Sequence, residues 1–461
     1  MYADGLRRGY WGQTDMVDSL AGQIKEEMVS AERPVRKDSL TGLDSYEVFL
    51  EKLEKGIEQI GEDRITVIYT DIKYFKYIND TYGYQVGDAL LKDFVEEMVT
   101  GNDTLICCAR VYSDNFVAAN FLRGDISNEE FRDFIHKLNL EREAKFREKY
   151  LNSRLKFCTG ITMLNKDSRS LDAETAVSNA NLARKVAKEM EEDCCVLFDN
   201  SMMEGIKREV EITSRVPRAI ANYEFQVYYQ PKIETESLHL IGAEALVRWQ
   251  RPDGTFIYPD QFIPLIERSG QVVDVDYYVY REVFKFLSER IAAGKRVVPV
   301  SLNVSRIHLN KMHILEYVQE LFETYQIPCG LIEFELTESI YLENTERALE
   351  LVKGLHKLGT KVSMDDFGSG YSSLNLLSRL PIDIIKLDKV FLKGNMMQES
   401  DKIIISCVVD MAKRLSITSL CEGVETLEQS DYLKEIGCQI QQGYYFSRPI
   451  PQDEFERFMD R

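Results

Sequence analysis

The sequence predicts an α/β protein with a TIM-like (β/α)8 barrel in its C-terminal half and a second α/β domain before it. Two observations carry the barrel. Eight short β-rich runs follow one another: Phe225–Pro231, Leu240–Trp249, Val297–Val304, Leu331–Thr337, Lys361–Asp366, Asp383–Leu387, Ile417–Glu422 and Gln439–Phe446. Amphipathic segments such as Asn344–Leu358 and Asp401–Leu415 separate most of them, the rhythm of alternating strands and helices. Each run also carries a polar residue at or near its C-terminal end: Gln230, Glu244, Asn303, Glu335, Asp365, Lys386, Glu422 and Gln442. In a barrel these ends converge on one face, where active sites sit. Upstream, residues 38 to about 200 have their own alternation of helical and strand patterns.

Taken in order, Met16, Leu20, Ile24 and Met28 recur at helical spacing, so residues 15–32 read as a short helix that Pro34 ends. The chain then divides into an N-terminal helix and linker (1–34), an α/β domain (35–203), a charged linker helix (204–214) and the barrel (215–461). A length of 461 residues suits two or three domains at roughly 150 residues each. Uninterrupted apolar runs, such as Ile403–Ile405, are short, far below the ~18 residues of a membrane span. No apolar stretch follows Arg7 and Arg8, so no secretory leader is expected. Nine cysteines without a C-x-x-C pair read as reduced thiols of a cytoplasmic protein. A formal net charge of −19 speaks against a nucleic-acid polymer or an anionic membrane as partner. A small anionic ligand then needs local compensation from cations, Arg, Lys or helix N-termini.

Carboxylates crowded at strand ends repel one another unless a cation joins them. Glu244, Glu335, Asp365, Asp366 and Glu422, with Asn303, are oxygen donors suited to hard divalent ions. The adjacent pair Asp365-Asp366 suits one carboxylate bridging two metals. Two metals about 4 Å apart are a recurring solution to phosphoester hydrolysis, so the residues alone point to a metal-dependent hydrolase.

An ordered set of motifs identifies a family. It comprises Gln230-Pro231-Lys232, Glu244-Ala245-Leu246-Val247-Arg248-Trp249, Ser301-Leu302-Asn303-Val304-Ser305, Glu335-Leu336-Thr337-Glu338-Ser339, Asp365-Asp366-Phe367-Gly368-Ser369-Gly370, Lys386-Leu387-Asp388, Glu422-Gly423-Val424-Glu425-Thr426 and Gln442-Gly443-Tyr444. Residues 215–461 resemble EAL-domain cyclic di-GMP phosphodiesterases throughout. The resemblance implies Glu244, Asn303, Glu335 and Asp365 as ligands of one Mg²⁺ or Mn²⁺ ion and Asp365, Asp366 and Glu422 as ligands of a second. It implies Lys386 beside the attacking water, Glu338 as the residue holding the Asp-Asp-Phe-Gly loop, and Glu422 as a general base as well as a ligand. It places Gln230, Leu246, Arg248, Asp388 and Gln442 at the substrate, with Arg248 on a phosphate. Two readings are open for Trp249 and Tyr444, rim packing or guanine contact. Ser369 stands where the family usually has Thr. The product implied is linear pGpG, in a bacterial cytoplasm, from a homodimer joined through the barrel.

Residues 35–203 resemble a GGDEF domain, the diguanylate cyclase fold, with a palm-like or ferredoxin-like sheet. The matching pieces include Asp71-Ile72-Lys73-Tyr74-Phe75-Lys76, Ile78-Asn79-Asp80, Gly87-Asp88 and Thr159-Gly160. The signature itself is degenerate: Tyr112-Ser113-Asp114-Asn115-Phe116 stands where Gly-Gly-Asp-Glu-Phe is the pattern. Tyr112 and Ser113 fill space that glycines leave to a nucleotide, and Asn115 is a neutral amide in place of a carboxylate. Lys188 matches the family, whereas Glu192 replaces an arginine that grips triphosphate. The inhibitory Arg-x-x-Asp pair would fall on Asp103 and Ile106, which cannot clamp a phosphate. Asp71 and Asp114 remain as metal-facing acids, and Asn79 and Asp88 as guanine readers. A GTP-binding regulator and a domain kept for folding and dimerisation are both open readings. For the whole chain, the alternative to an enzyme is an inert cyclic di-GMP receptor that signals through a partner protein.

Overall fold

The computed structural model describes residues 36–61, 63–122, 126–150, 155–190, 194–311, 313–368, 380–392 and 399–460. The helix expected over 15–32, Glu192, and Ser369 with Gly370 lie outside them. The chain forms two compact units, divided between Ile206 and Lys207.

The N-terminal unit is a five-stranded sheet: β1 (Arg64–Lys73), β2 (Leu105–Tyr112), β3 (Asn115–Leu122), β4 (Lys156–Leu164) and β5 (Cys195–Leu197). The order is β2-β3-β1-β4-β5, antiparallel except for β4 with β5. Central β1 is apolar on both faces, as a strand covered on both sides must be. Ile65, Val67 and Tyr69 pack with Phe49 and Leu53 of the helix Tyr46–Glu58 and with Ala176 and Ala180 of the helix Ala173–Glu189. Ile72 packs with Phe94, Phe116 and Phe157 on the opposite face. Gly160 on β4 sets the approach of the helix Ala173–Glu189. A Cβ there would lie 2.0 Å from the Ala180 carbonyl oxygen and 2.1 Å from the Arg184 nitrogen. This close seat brings Arg184 and Lys188 onto Asp71 at the end of β1.

In the C-terminal unit the strands are β6 (Phe225–Glu234), β7 (Leu240–Gln250), β8 (Phe256–Ile257), β9 (Val300–Asn303), β10 (Ile332–Thr337), β11 (Lys361–Phe367), β12 (Ile384–Leu387), β13 (Thr418–Cys421), β14 (Ile440–Gln441) and β15 (Ile450–Pro451). The chain of pairings β6-β7-β9-β10-β11-β12-β13-β14 returns to β6, closing a barrel of eight strands, with β8 and β15 added outside it. It departs from a regular (β/α)8 barrel in one respect. β6 is antiparallel to both its neighbours, and β6 and β7 form a hairpin with Gln230 opposite Glu244. The short link Thr235–His239 leaves no room for the crossover helix that parallel neighbours need. The last run, expected over Gln439–Phe446, pairs only at Ile440–Gln441.

Outside the barrel an apolar shell packs against the helices, with Phe225, Trp249, Phe262 and Tyr278 in one aromatic cluster. The helix Asn200–Ala221 adds Ile212, Val216 and Ala219 to this shell. Side-chain caps start the surrounding helices: Asn344 accepts from the Arg347 nitrogen, and Thr426 forms a reciprocal capping box with Gln429.

Replacing Gly160 by Ala is expected to destabilise the protein by about 1–3 kcal/mol, the cost of overpacking a close approach. Urea unfolding followed by far-UV circular dichroism measures it. An unchanged midpoint would contradict the contact.

Candidate active site

Side chains two apart on a strand share a face, so the barrel lumen is built in layers. Ile384, Leu420 and Ile440 form an apolar floor. Two residues further along the same strands stand Lys386, Glu422 and Gln442. Beneath Glu335 and Asn303, one step down β10 and β9, lie Glu333 and Ser301. The structure thus brings the eight polar residues of the strand runs to one mouth, with Gln230 and Glu244 in mid-strand and the others at strand ends.

Lys386 is the centre. Its side chain is fully buried, and its Nζ lies 2.5 Å from Glu335 Oε2, 2.7 Å from Glu422 Oε1, 3.0 Å from Asp365 Oδ1 and 3.7 Å from Glu244 Oε2. Glu244 is further fixed. Gln442 donates to Glu244 Oε2 at 2.6 Å and to Gln230 Oε1 at 3.1 Å, while Asn303 donates to Glu244 Oε1 at 3.0 Å. Gln230 and Gln442 are buried, so here they orient Glu244. Gly443 permits this, because a Cβ on it would meet the Val424 backbone at 2.1 Å. Tyr280 holds the Asn303 carbonyl at 2.8 Å.

Asp365 and Asp366 are consecutive, and a regular strand would send them to opposite faces. The pairing of β11 with β12 slips between Met364 and Phe367, and Asp366 takes a left-handed φ of 57°. Such a bulge re-aims a side chain beside a site. Asp366 also donates its backbone N–H to Asp365 Oδ1 at 2.9 Å.

Sequence reasoning missed a second ammonium. Lys232 on β6 is buried and contacts Ser301 Oγ, Glu333 Oε1 at 3.0 Å and Glu335 Oε1 at 2.8 Å. A lysine inside an apolar strand run was the available signal, together with the same-face spacing of Glu333 and Glu335.

Six acids (Glu244, Glu333, Glu335, Asp365, Asp366 and Glu422) face two ammonium groups. Protonation follows from that imbalance. Burial would raise Glu335, but Lys232 and Lys386 outweigh it and hold its carboxyl down at about 2. Burial, reinforced by Asp365, Glu244 and Glu335 against Lys386, pushes Glu422 up to about 8. Burial with the charges of Asp365 and Asp388 pushes Asp366 up to about 6. Burial and Glu335 raise Glu244. Among the described residues, no three Asp, Glu, His or Cys side chains stand in metal-ligating geometry.

The remaining predicted residues lie around this cluster. Leu246 and Arg248 follow Glu244 on the same face of β7 and are half-buried. The Arg248 guanidinium lies 5.7 Å from the Tyr228 ring. Asp388 accepts from the Val390 nitrogen at 2.6 Å and caps the turn Lys389–Leu392. Glu338 is buried at the start of the helix Glu338–Glu343, and the loop it is expected to hold leaves the described residues after Gly368. Trp249 points away from the mouth, fully buried, and donates to Glu224 Oε2 at 3.0 Å, so its packing role stands and guanine contact does not. Tyr444 is exposed with Arg448 4.6 Å from its ring.

In the N-terminal unit, Asp71 is already partnered. Arg184 Nη1 lies 3.1 Å and Lys188 Nζ 2.8 Å from its carboxylate. Ser113 takes a left-handed φ of 47° at the hairpin turn where the family pattern has glycine. Burial and the neighbouring Asp71 raise Asp114. Asn79 is half-buried and Asp88 exposed.

A closed barrel with a carboxylate-lysine mouth, in a chain that also carries a palm-like α/β unit, defines a class. The EAL domain matches residues 213–449, and the diguanylate cyclase (GGDEF) domain matches residues 35–194. The chain belongs to the EAL-domain family, in tandem with a GGDEF domain. It is 29% identical over 467 residues to cyclic di-GMP phosphodiesterase NbdA of Pseudomonas aeruginosa, covering 99% of this chain and 58% of that one. Cyclic di-GMP phosphodiesterase PdeR of Escherichia coli is also 29% identical, covering 92% of this chain and 63% of its own length. This chain thus spans less than two thirds of either relative. Among solved structures, the PaMucR phosphodiesterase in complex with c-di-GMP matches with a TM-score of 0.51 and 29% identity, over 53% of this chain and 99% of that one. No described helix is long and apolar enough to cross a membrane.

The raised carboxyl groups set a pH dependence. Folded, Glu422 keeps its proton to about pH 8, whereas unfolded it releases it near the ordinary 4.5. The folded state binds more protons across that window, so this group's contribution to stability falls as pH rises through it. In chelator, melting temperature is expected to fall from pH 6 to pH 8.5, less steeply for Glu422→Gln. Equal slopes for the two proteins would contradict the assignment.

Proposed function

We propose that this protein hydrolyses cyclic di-GMP to linear pGpG at the barrel mouth. The observation that carries the reading is the excess of buried acids over ammonium groups on strand ends, a charge pattern made to receive divalent cations. The names of the relatives, cyclic di-GMP phosphodiesterases, supply the substrate. Oxygen donors fit two Mg²⁺ or Mn²⁺ ions, with Glu244, Asn303, Glu335 and Asp365 for one and Asp365, Asp366 and Glu422 for the other. Bound there, such ions acidify a water and stabilise charge on the phosphoryl group.

The chain's own residues do the rest. Arg248 grips a substrate phosphate from the rim. Lys386 orients the water and offsets negative charge as its oxygen attacks phosphorus. Glu422 would accept the water's proton once cations held at the mouth had displaced its own. The P–O3′ bond breaks, the leaving 3′ oxygen takes the proton that Glu422 received from the water, and the 5′-phosphate stays on the product. Glu338 steadies the loop after Asp365-Asp366. Asp388 positions Asp366, and Leu246 lines the approach to the mouth.

We assign the protein to a bacterial cytoplasm, in keeping with its nine free thiols, and infer a homodimer through the barrel domain. Exposed Ile403, Ile404 and Cys407 on the helix Glu399–Arg414 provide apolar surface for that contact. For the N-terminal unit, the pairing of Asp71 with Arg184 and Lys188 favours a cyclase-inactive partner. A GTP regulator acting through Asp71, Asn79, Asp88 and Asp114 would first have to break those ion pairs.

Purified protein with Mn²⁺ is expected to release pGpG, resolved by chromatography. Glu244→Ala is expected to lose turnover while still binding cyclic di-GMP through Arg248. Near-normal kcat in that variant would refute the metal assignment, and binding without turnover in the wild type would favour the receptor. Titration of the full chain with GTP and Mg²⁺ is expected to give no saturable heat at millimolar nucleotide. Saturable binding would restore the regulatory reading.

A further inference from the structure

We propose that Lys232 is a positioning residue for Glu335: its buried ammonium holds Oε1 of that carboxylate and leaves Oε2 as the oxygen presented to a metal at the mouth. This rests on the metal-centred reading above and extends it to a residue outside the ligand set. An ammonium has three N–H donors. Lys232 uses them on Ser301 Oγ, Glu333 Oε1 and Glu335 Oε1, so it joins side chains of β6, β9 and β10 across the lumen. The Lys232 side chain is 4% exposed and that of Glu335 0%. The other oxygen of Glu335, Oε2, faces Lys386 at 2.5 Å. One carboxylate therefore has its two oxygens assigned to two directions, one into the lumen and one to the mouth.

A simpler role for Lys232 is neutralising the buried carboxylate of Glu333. The two roles separate in a double variant. Groups that orient a metal ligand typically contribute 10–100-fold to metal affinity. A group that only neutralises Glu333 becomes dispensable once Glu333 is gone.

The test is calorimetric titration of metal-stripped, full-length protein with Mn²⁺, with melting temperature as the measure of folding. Lys232→Met is expected to bind Mn²⁺ 10–100-fold more weakly than wild type and to melt lower, because Glu333 loses its partner. Lys232→Met combined with Glu333→Leu is expected to regain the lost melting temperature and keep the weakened Mn²⁺ affinity. The double variant carries the test if the single one does not fold. Wild-type affinity in either variant would overturn the proposal, because Lys232 would then be at most a neutraliser. Absence of Mn²⁺ binding in the wild type would be a different failure, that of the metal reading itself, and would remove this inference with it.

Discussion

Lys386 Nζ lies within 4 Å of four carboxylates, reached from β7, β10, β11 and the end of β13. No single strand could assemble that arrangement. It needs a closed barrel whose strand ends meet, a bulge that turns two successive aspartates toward one place, and amides that fix Glu244. It also needs layers, since a charged tier in a protein interior is tolerated only when each member finds a partner. The apolar floor of Ile384, Leu420 and Ile440 lies beneath this tier in the lumen. Surrounding shell, lumen and mouth can therefore be understood as one solution to holding many like charges close together.

The two units treat acidic clusters in opposite ways. Asp71 is paired with Arg184 and Lys188 along a pocket of the N-terminal unit that Asp114 also lines. The barrel mouth keeps more acids than ammonium groups, and burial with mutual repulsion raises Glu244, Asp366 and Glu422. Protons can be exchanged for metal ions as pH allows. A residue-level difference in counting charges thus separates the two acidic sites of the chain.

Much of this was legible in the sequence because strand periodicity fixes which side chains share a face. The eight polar strand residues could be listed without coordinates, and all eight meet. What the pattern could not show was direction. Phe225–Pro231 and Leu240–Trp249 look like two more parallel strands, and only the short link between them argues for a hairpin. Trp249 sits beside Arg248 in the motif, yet the pleat turns it into the outer shell toward Glu224. Lys232 was visible as a letter but not as a contact, since its partners Ser301, Glu333 and Glu335 are 69, 101 and 103 residues away. The pairing of Asp71 with Arg184, 113 residues distant, was hidden for the same reason.

The hairpin strand has a consequence for how the chain reaches its working form. Closure pairs Glu234 with Ile440 and Ile233 with Gln441, almost the full length of the domain apart. Contacts of such sequence separation form late, because the loop between them must be closed before they yield any stabilisation. Gln230 and Glu244 precede Gln442 by 212 and 198 residues, yet the hydrogen bonds among these three fix one wall of the mouth. A nascent or C-terminally clipped chain therefore has most of the acids but no sealed chamber to hold them. The ring is joined at its seam only when β14 meets β6, so the wall of amides and carboxylate is completed by the same event that closes the barrel.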